Sequence, residues 1–384
     1  MYADALIRPW VDRLLDDLPG LALLDAHTHL GLNDPDGFSC TAGELCTALD
    51  LVASRATVFP MHEPEGYPDA NDRVVADAEA SGGQLVPYCR VDPARAPERE
   101  AARSLDRGAR GVKLHPRAEG FTLDHPGVDR VVALAAERRV PVIVHAGRGI
   151  PALGRHALEL AGRFPGTPVV LAHAGISDLS WIWRRLADRP NLYFDTAWWN
   201  PVELVGLFSL VSPGQILYAS DAPYGTPTQS LVMTLRCALE AGLGPEQLRG
   251  VAGAQLERLV DGAPPLDLGP PPGPPAAPLD LLLERVCSLL HTAVGLMLSG
   301  DDGSEYLSLA RLACEVGEDA PQAPACRSVL ALLDRHERFV LGVAPGAPVY
   351  QGMHLVITAL AVARTPGVAL PPEPEPVSTG EREP

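Results

Sequence analysis

The sequence predicts an α/β protein built on a (β/α)8 (TIM) barrel, followed by an all-helical region. Eight short apolar segments, typical of buried strands, alternate with amphipathic helical segments over about 250 residues, which is the usual size of such a barrel. The predicted strands are almost continuously apolar, as parallel strands covered on both faces are. A proline-rich segment then separates this region from four amphipathic helices.

The eight predicted strand–helix units follow one another without a long insertion, after a first helix at 4–17. The predicted strands lie at 23–30, 56–62, 85–91, 111–116, 141–147, 168–175, 192–196 and 215–221. The helices that follow them are predicted at 42–54, 71–81, 97–107, 128–138, 154–164, 180–186, 201–208 and 228–241, with a last one at 251–260. A doubly wound open sheet is the alternative, but no GxGxxG motif follows the first strand, which leaves a dinucleotide-binding fold with little support.

Composition divides the chain into four parts, of which residues 1–262 are the predicted barrel. The proline density of residues 263–278 blocks helix and sheet and predicts a stiff, extended linker. Residues 279–365 carry apolar residues at helical spacing and predict a small helical domain, which packs on the barrel or forms a homo-oligomer. Residues 366–384, rich in proline and glutamate, are predicted to be a disordered tail.

The charge and the cysteines exclude several classes of protein. A net charge of −17 argues against a nucleic-acid partner. No apolar run reaches the roughly 20 residues of a membrane-spanning helix, and residues 1–14 lack the layout of a signal peptide. The seven cysteines include no CxxC pair, which indicates reduced thiols. We therefore expect a cytoplasmic protein without a nucleic-acid or membrane partner.

The first predicted strand ends in a His-x-His motif. Alternate side chains of an extended chain share a face, so Asp25, His27 and His29 point the same way. Two imidazoles on one face could bind one metal ion, and histidine is a common ligand of zinc. A turn that holds two histidines by chance is the alternative.

Later strands also end in reactive side chains, which in a TIM barrel lie together at the carboxyl ends of the strands. The alternation of side chains predicts that Ile143, Leu171 and Leu217 fill the barrel beneath them. Each of these polar residues alone would fit a core histidine, a salt bridge or a helix cap, but the set at five strand ends predicts one site. The residues of the later strands are Lys113, His115, His145, His173 and Asp221.

Six short motifs carry a resemblance to a known family. They are DAHTHL (25–30), GVKLHP (111–116), VIVHAG (142–147), LAHAG (171–175), YFDT (193–196) and YASDAPYG (218–225). Together they resemble the amidohydrolase superfamily, and most of all the amidohydrolase-related branch that contains the aminocarboxymuconate-semialdehyde decarboxylase-like enzymes. The resemblance covers residues 21–260 and has no counterpart after residue 278.

The resemblance implies a site for one divalent metal ion, usually zinc. His173 would lie beside the water or substrate bound there, and His115 is a further candidate for substrate contact. In members with two ions, a fourth-strand lysine is carboxylated and bridges them. Lys113 lies on that strand, whereas the KLHP sequence often accompanies a one-metal site, so both states of this lysine remain open. The implied metal ligands are His27, His29, His145 and Asp221.

The chemistry expected of such a site is the activation of water. Zinc bound by three neutral imidazoles and one carboxylate keeps an open position and lowers the pKa of a bound water toward about 7. Asp221 would act as general base, and His173 would hydrogen-bond the water or the developing oxyanion. Lys113 or His115 would add positive charge there, while Asp25 would either orient a histidine or serve as a buried structural residue.

Loops beyond the strands are expected to select the substrate. Arg90 and Arg148 could bind a substrate carboxylate in bidentate fashion, or could form salt bridges instead. Trp198 and Trp199 would wall an apolar pocket or pack beneath a loop. Two further residues just past strand ends are His62 and Tyr224.

The sequence therefore predicts a metal-dependent hydrolase that uses a metal-activated water on a C–N or C–O bond of a small molecule, such as an amide, lactone or ester. The alternative on the same metal site is a lyase, a non-oxidative decarboxylase or hydratase of an unsaturated or aromatic carboxylic acid. A third hypothesis is a metal-binding barrel that serves mainly as a docking platform through its helical region.

Overall fold

The predicted barrel forms the centre of the computed structural model, which describes residues 3–35, 37–176, 178–275, 278–342 and 350–372. The third barrel strand consists of two parts, β3 and β4, on either side of Tyr88. The strands are β1 (Leu23–Leu30), β2 (Ser54–Pro60), β3 (Leu85–Pro87), β4 (Cys89–Arg90), β5 (Val112–Leu114), β6 (Val142–Val144), β7 (Val169–Leu171), β8 (Leu192–Asp195) and β9 (Ile216–Leu217).

The strands pair in parallel in the order in which they occur in the chain, from β1 to β3 and from β4 to β9. Hydrogen bonds also join β1 to the residues that directly follow β9. The Ala26 N–H donates to the Tyr218 carbonyl over 2.9 Å, and the Asp221 N–H donates to the His27 carbonyl over 2.8 Å. The His29 N–H donates to the Ala222 carbonyl over 2.8 Å. This arrangement confirms the predicted barrel.

Helices surround the strands, and several of them begin at a proline, whose fixed φ suits the first helical position. A capping box starts α2, in which the Thr41 hydroxyl accepts a hydrogen bond from the Glu44 N–H. The barrel helices are α1 (Asp4–Asp16), α2 (Ala42–Asp50), α3 (Pro68–Ala80), α4 (Pro97–Asp106), α5 (Pro116–Glu119), α6 (Pro126–Arg138), α7 (Leu153–Arg163), α8 (Leu179–Ile182), α9 (Pro201–Leu210), α10 (Pro227–Glu240), α11 (Pro245–Arg249) and α12 (Gln255–Val260).

The strand residues divide into two apolar layers. One layer fills the barrel and the other lies between the strands and the helices. Leu171 belongs to the outer layer and Val170 to the inner one, so the prediction that Leu171 lies beneath His173 is wrong. The strand ends at Leu171, and His173 reaches the interior through a 3₁₀ turn, His173–Gly175, instead of by strand alternation. Inner residues include Phe59, Ile143, Val170, Leu217 and Ala219.

The predicted helical region is present and packs directly on the barrel. It consists of α13 (Leu281–Met297), α14 (Ser304–Ala313), α15 (Ala323–Leu341) and α16 (Tyr350–Arg364). Residues 352–363 of α16 are all buried, as in a helix that is covered on every side. This helix lies against α13 and α15 on one side and α10 on the other, and its apolar residues share one core with the barrel. Within the described residues, no helix has both the length and the apolar character that a bilayer span requires.

The segments on either side of the helical region also contact the barrel. In the predicted linker, the Leu266 N–H donates to the Gln255 side-chain oxygen over 2.8 Å. After α16, the buried guanidinium of Arg236 donates to the Thr365 carbonyl over 2.7 Å and to the Ala369 carbonyl over 3.0 Å. The start of the segment predicted as a disordered tail therefore contacts α10, and residues 373–384 lie outside the described residues.

The Arg236 contacts predict a measurable contribution to stability. We expect Arg236→Leu to lower the free energy of unfolding by about 3 kcal/mol, because buried carbonyls of residues 365–369 lose their charged donor. Urea unfolding followed by circular dichroism measures this. The control is Arg249→Leu, which removes an exposed ion pair with Glu246 and should cost less than about 1 kcal/mol. Equal losses in the two variants would contradict the role given to Arg236.

Candidate metal centre

Three predicted ligands converge at the carboxyl end of the barrel. His27 and His29 lie on β1, and the register between β1 and the chain after β9 brings Asp221 beside them. The Asp221 Oδ1 lies 3.1 Å from both His27 Nε2 and His29 Nε2, and these two nitrogens are 3.2 Å apart. One ligand atom from each residue lies within 4.8 Å of the other two, which suits a shared metal ion.

Electrostatics favour the metal-binding forms of His29 and Asp221, whereas they shift His27 toward its protonated form. Burial lowers the pKa of His29 to about 3, so its imidazole is neutral at pH 7. Burial alone would raise the pKa of Asp221, but the charge and hydrogen bond of His27, together with His29, hold it well below its usual range. For His27, burial and Lys113 lower the pKa, and the two carboxylates of Asp221 and Asp195 outweigh them and raise it.

Asp195 orients the ring of His27. Its Oδ2 lies 2.8 Å from His27 Nδ1, and its Oδ1 accepts hydrogen bonds from the backbone N–H groups of His173 and Ala197 over 2.8 and 3.0 Å. Burial opposes the charge of Asp195, but His27 and His173 lower its pKa below the usual value, so the carboxylate only accepts. His27 Nδ1 must then carry a hydrogen, so Nε2 is the nitrogen that could bind a metal. The raised pKa of His27 favours a hydrogen on Nε2 as well, and metal binding would have to release it.

Sequence reasoning did not assign a role to Asp195. The available signal was the YFDT motif, in which an aspartate closes the seventh barrel strand as other reactive residues close theirs. Asp25, for which two roles were considered, binds backbone instead of an imidazole. Its Oδ1 accepts from the N–H groups of His27 and Ser220 over 3.0 Å each, and burial raises its pKa to about 7. Asp25 therefore ties β1 to the last strand beneath the site.

His173 and His145 form a hydrogen-bonded pair beside the three ligands. His173 Nδ1 lies 2.8 Å from the Ala197 carbonyl, which can only accept, so His173 Nε2 is an acceptor for His145 Nδ1 at 3.0 Å. His145 Nε2 then carries a lone pair; it is buried, lies against Gly147 and has no hydrogen-bond partner within the described residues. Burial holds the pKa of His145 well below its usual value, so the ring is a neutral potential ligand.

His145 is not part of the group of three whose ligand atoms lie within 4.8 Å of one another. Its ring instead stacks on His115, with the centroids 3.8 Å apart and the planes at 11°. Burial and His145 hold the pKa of His115 well below the usual value, so His115 is neutral too. The positive charge predicted for His115 is therefore absent, and His115 and His145 form a neutral edge of the site.

Lys113, the single lysine of this sequence, lies at the centre of the cluster. Its Nζ is 3.0 Å from His27 Nε2 and 4.4 Å from the centre of the Phe59 ring. Burial lowers the pKa of Lys113 to about 7, although Asp221 and Asp195 act in the opposite direction. Near neutral pH the amine can therefore exist in both protonation states.

The backbone is strained where two of these side chains enter the site. Asp221 has a φ of 59° and His173 a φ of 58°, in the left-handed region that residues other than glycine rarely adopt. Hydrogen bonds of Asp221 N–H to His27 and of His173 N–H to Asp195 hold these conformations in place. Strain that is maintained at two neighbouring positions is typical of a functional site.

The two arginines predicted to bind substrate differ in their surroundings. Arg90 is buried and forms an ion pair of 2.6 Å with Glu119, and its guanidinium lies over the Tyr67 ring. Arg148 is exposed at the mouth of the barrel, where its guanidinium carbon lies 5.3 Å from the centre of the Trp198 ring. It forms no salt bridge with any residue that the structure describes, so this arginine can bind an incoming anion.

A cavity of about 360 Å³ opens at the same end of the barrel. Asp221, His173 and His145 line it, and Trp198 and Trp199 form part of its wall. Tyr224 also contributes to the wall, whereas Arg90 and His62 are not among the lining residues. Both tryptophans thus line the pocket. Of the three candidate ligands, Asp221 is in contact with the cavity, whereas His27 and His29 are buried behind it.

The donor set fits a borderline divalent ion. Neutral imidazoles and an ionised carboxylate are the side chains that zinc binds in proteins, and their ligand atoms lie close enough together to share one ion. His145 Nε2 is a buried nitrogen with no hydrogen-bond partner in the described part of the chain. Such a nitrogen is costly in a core that has no ligand to bind.

The family model of the amidohydrolases matches residues 24–254 of the chain, which span the barrel strands from the second residue of β1 to β9. A comparison with curated proteins found no match. Among solved structures, 5-carboxyvanillate decarboxylase from Sphingomonas paucimobilis is 15% identical, with a TM-score of 0.49 over 63% of this chain and 99% of that one.

Two other solved structures are similar over the same region. An uncharacterised TIM-barrel protein from Bordetella bronchiseptica is 18% identical, with a TM-score of 0.50 over 63% of this chain and 99% of that one. 4-Oxalomesaconate hydratase from Rhodopseudomonas palustris is 14% identical, with a TM-score of 0.47 over 62% and 96% of the two chains. At these identities the structural likeness concerns the fold. The family predicted from the six motifs is confirmed by the family model, and the chain belongs to the amidohydrolase family of enzymes.

Proposed function

We propose that this protein is a metal-dependent hydrolase that cleaves a C–N or C–O bond of a small molecule, such as an amide, a lactone or an ester. The observation that carries the proposal is the convergence of ligand atoms of His27, His29 and Asp221 within 4.8 Å of one another, with Asp221 also lining an open cavity. This combination of imidazole donors, an ionised carboxylate and access for a small molecule at Asp221 suits hydrolysis.

The cofactor we propose is one divalent metal ion, and the nitrogen and oxygen donors favour Zn²⁺. His27, His29 and Asp221 would hold it, with His145 as the fourth ligand that the resemblance implies. When bound, such an ion supplies Lewis acidity and lowers the pKa of water at the site. Asp195 prepares His27 for this role by fixing the hydrogen on Nδ1.

The remaining groups act on protons and charge. Asp221 stays ionised at neutral pH, so its carboxylate can accept a proton from water and return it to the leaving group. His173 donates to the Ala197 carbonyl and accepts from His145 Nδ1, so both of its ring nitrogens are engaged and its role is to hold His145 in place. Lys113, with a pKa of about 7, can donate a proton or a positive charge to a developing oxyanion.

A lyase that decarboxylates or hydrates an unsaturated or aromatic carboxylic acid is the second candidate. Arg148 favours it, because this exposed cation at the cavity has no carboxylate partner among the described residues and can bind a substrate carboxylate. Arg90 is a weaker candidate for the same task, since Glu119 already neutralises it. In both cases the partner of the protein is a small-molecule substrate.

The proposed ligands predict the metal content of variants. Purified protein dialysed against zinc should hold one ion per chain, whereas His29→Ala and His145→Ala should hold well below one, because each loses a donor nitrogen. Elemental analysis by mass spectrometry measures the content. His62→Ala, which changes a histidine outside the cluster, should keep the full content. Full zinc content in His145→Ala would restrict the ligands to the group of three.

Asp221→Asn tests the catalytic proposal. The amide cannot accept a proton as the carboxylate does, so we expect kcat to fall by at least about 10³-fold on any substrate found among lactones, amides, esters and aromatic carboxylic acids. Steady-state kinetics with zinc-loaded protein measures this. Asp178→Asn is the control, since that carboxylate caps Gly154 outside the ligand group. Undiminished turnover in the Asp221 variant would refute the proposed mechanism.

Asp195→Asn tests the orientation of His27. The two backbone N–H groups keep an oxygen at Oδ1, so the amide nitrogen must face His27 Nδ1 and force the hydrogen onto Nε2. We expect zinc affinity to fall by about 10- to 100-fold, as measured by competition with a chelator. Asp129→Asn, which alters an exposed ion pair with Arg163, should leave the affinity unchanged. An equal affinity in both variants would exclude a role for Asp195 in ligand orientation.

A further inference from the structure

Part of the cavity wall comes from the helical region that follows the barrel. Leu298 lies directly after α13, and Met353 and Ile357 lie one turn apart on α16; all three line the cavity together with Asp221 and His173. The family model ends at residue 254, so this part of the wall lies outside the matched region. The pocket therefore combines residues of the matched barrel with residues of the helical region that lie outside the match.

The part of the cavity wall formed by Leu298, Met353 and Ile357 is fixed in place. The helix α16 is buried between α13, α15 and α10, and the guanidinium of Arg236 binds the residues that follow it. Arg364 at the end of α16 forms an ion pair with Glu284 on α13. On α13, the ring of His291 lies 5.0 Å from that of Trp199, which itself lines the cavity. A wall held at several points can exclude ligands by size, because it cannot give way without breaking these contacts.

The chemistry of the cavity is divided between two kinds of surface. Met353, Ile357 and Leu298 present apolar groups, and the Trp198 and Trp199 rings extend this surface. At the rim, Arg117 and Arg148 are exposed cations that form no salt bridge with any described residue. An apolar wall beside unpaired cations suits a ligand with an apolar body and an anionic group.

We propose that the helical region determines the size of substrate that the site accepts, through the contact of Leu298, Met353 and Ile357 with the apolar body of the substrate. The proposal rests on the proposed function, because it concerns ligands of the same cavity. On this proposal the helical region takes a direct part in substrate selection, because it forms one rigid side of the pocket.

The test uses the zinc-loaded full chain and three probes, benzoate, 4-ethylbenzoate and 4-butylbenzoate, whose binding is measured by isothermal titration calorimetry. The ratio of the Kd of 4-butylbenzoate to that of benzoate reports the space at the wall. We expect Ile357→Ala to lower this ratio by about tenfold relative to the unmodified protein, since removed methylenes leave room for those of the probe. Leu298→Ala should lower it by at least about threefold.

Leu298→Ala serves as a second test that does not depend on a buried residue, and Leu282→Ala serves as the control. Ile357 is buried, so its truncation can impair folding, whereas Leu298 is 38% exposed and can be truncated with little effect on the core. Leu282→Ala changes a leucine of α13 that is 51% exposed and does not line the cavity, and its Kd ratio should equal that of the unmodified protein.

The outcomes separate this inference from the proposed function. If the Kd ratios of Leu298→Ala and Ile357→Ala lie within twofold of that of Leu282→Ala, the helical region does not select by size, even if zinc content and turnover behave as proposed. The absence of binding by all three probes would contradict size selection in the same way. A shifted ratio in protein that retains no zinc would support size selection and refute the metal-dependent function.

Discussion

The backbone hydrogen bonds between the first and last barrel strands are the constraint on which the site depends. They place the carbonyl of His27 opposite the N–H of Asp221, and the N–H of His29 opposite the carbonyl of Ala222. A register shift by one residue would turn the side chains to the opposite faces and separate the carboxylate from the imidazoles. Asp25 reinforces this register from below, because it accepts hydrogen bonds from both strands. The fold thus supplies a rigid frame, and the ligand geometry follows from the pairing of two strands that are almost 200 residues apart.

Burial of so many ionisable groups is tolerated because their charges compensate one another. Asp195 and Asp221 lie 2.8 and 3.1 Å from the ring nitrogens of His27, and Lys113 lies 3.0 Å from His27 Nε2. Burial keeps His29, His115, His145 and His173 neutral. The two carboxylates also provide the negative charge that a bound cation would need beside it.

The sequence predicted those parts of the protein that local pattern determines. The eight short apolar segments that alternate with helices predicted the barrel. The positions of His27, His29 and Asp221 at strand ends predicted that they lie together, because the carboxyl ends of all parallel strands lie on one side. Asp195 obeyed the same rule and was overlooked, since an aspartate before a threonine also fits a turn. The turn at His173 and the partner of Arg90 could not be predicted. The first depends on two left-handed residues, and the second on Glu119 in a short helix, α5, that has no clear periodicity.

The role of the helical region was also beyond sequence reasoning, because helical spacing gives the buried face of each helix but not its neighbour. The same residues that appear as a separate domain in the pattern share one core with α10 and α1 in the structure. The family match ends at residue 254, so these helices lie outside it, although Leu298, Met353 and Ile357 line the same cavity as Asp221.

The position of Lys113 has a practical consequence for spectroscopy. Because the sequence contains no other lysine, isotope-labelled lysine supplied during expression would place a single nuclear probe 3.0 Å from His27 Nε2. Its one side-chain resonance would report the protonation, carbamate formation or ligand contact of that amine without any assignment problem. A protein of this size rarely offers an unambiguous magnetic-resonance view of its own reactive centre without mutation.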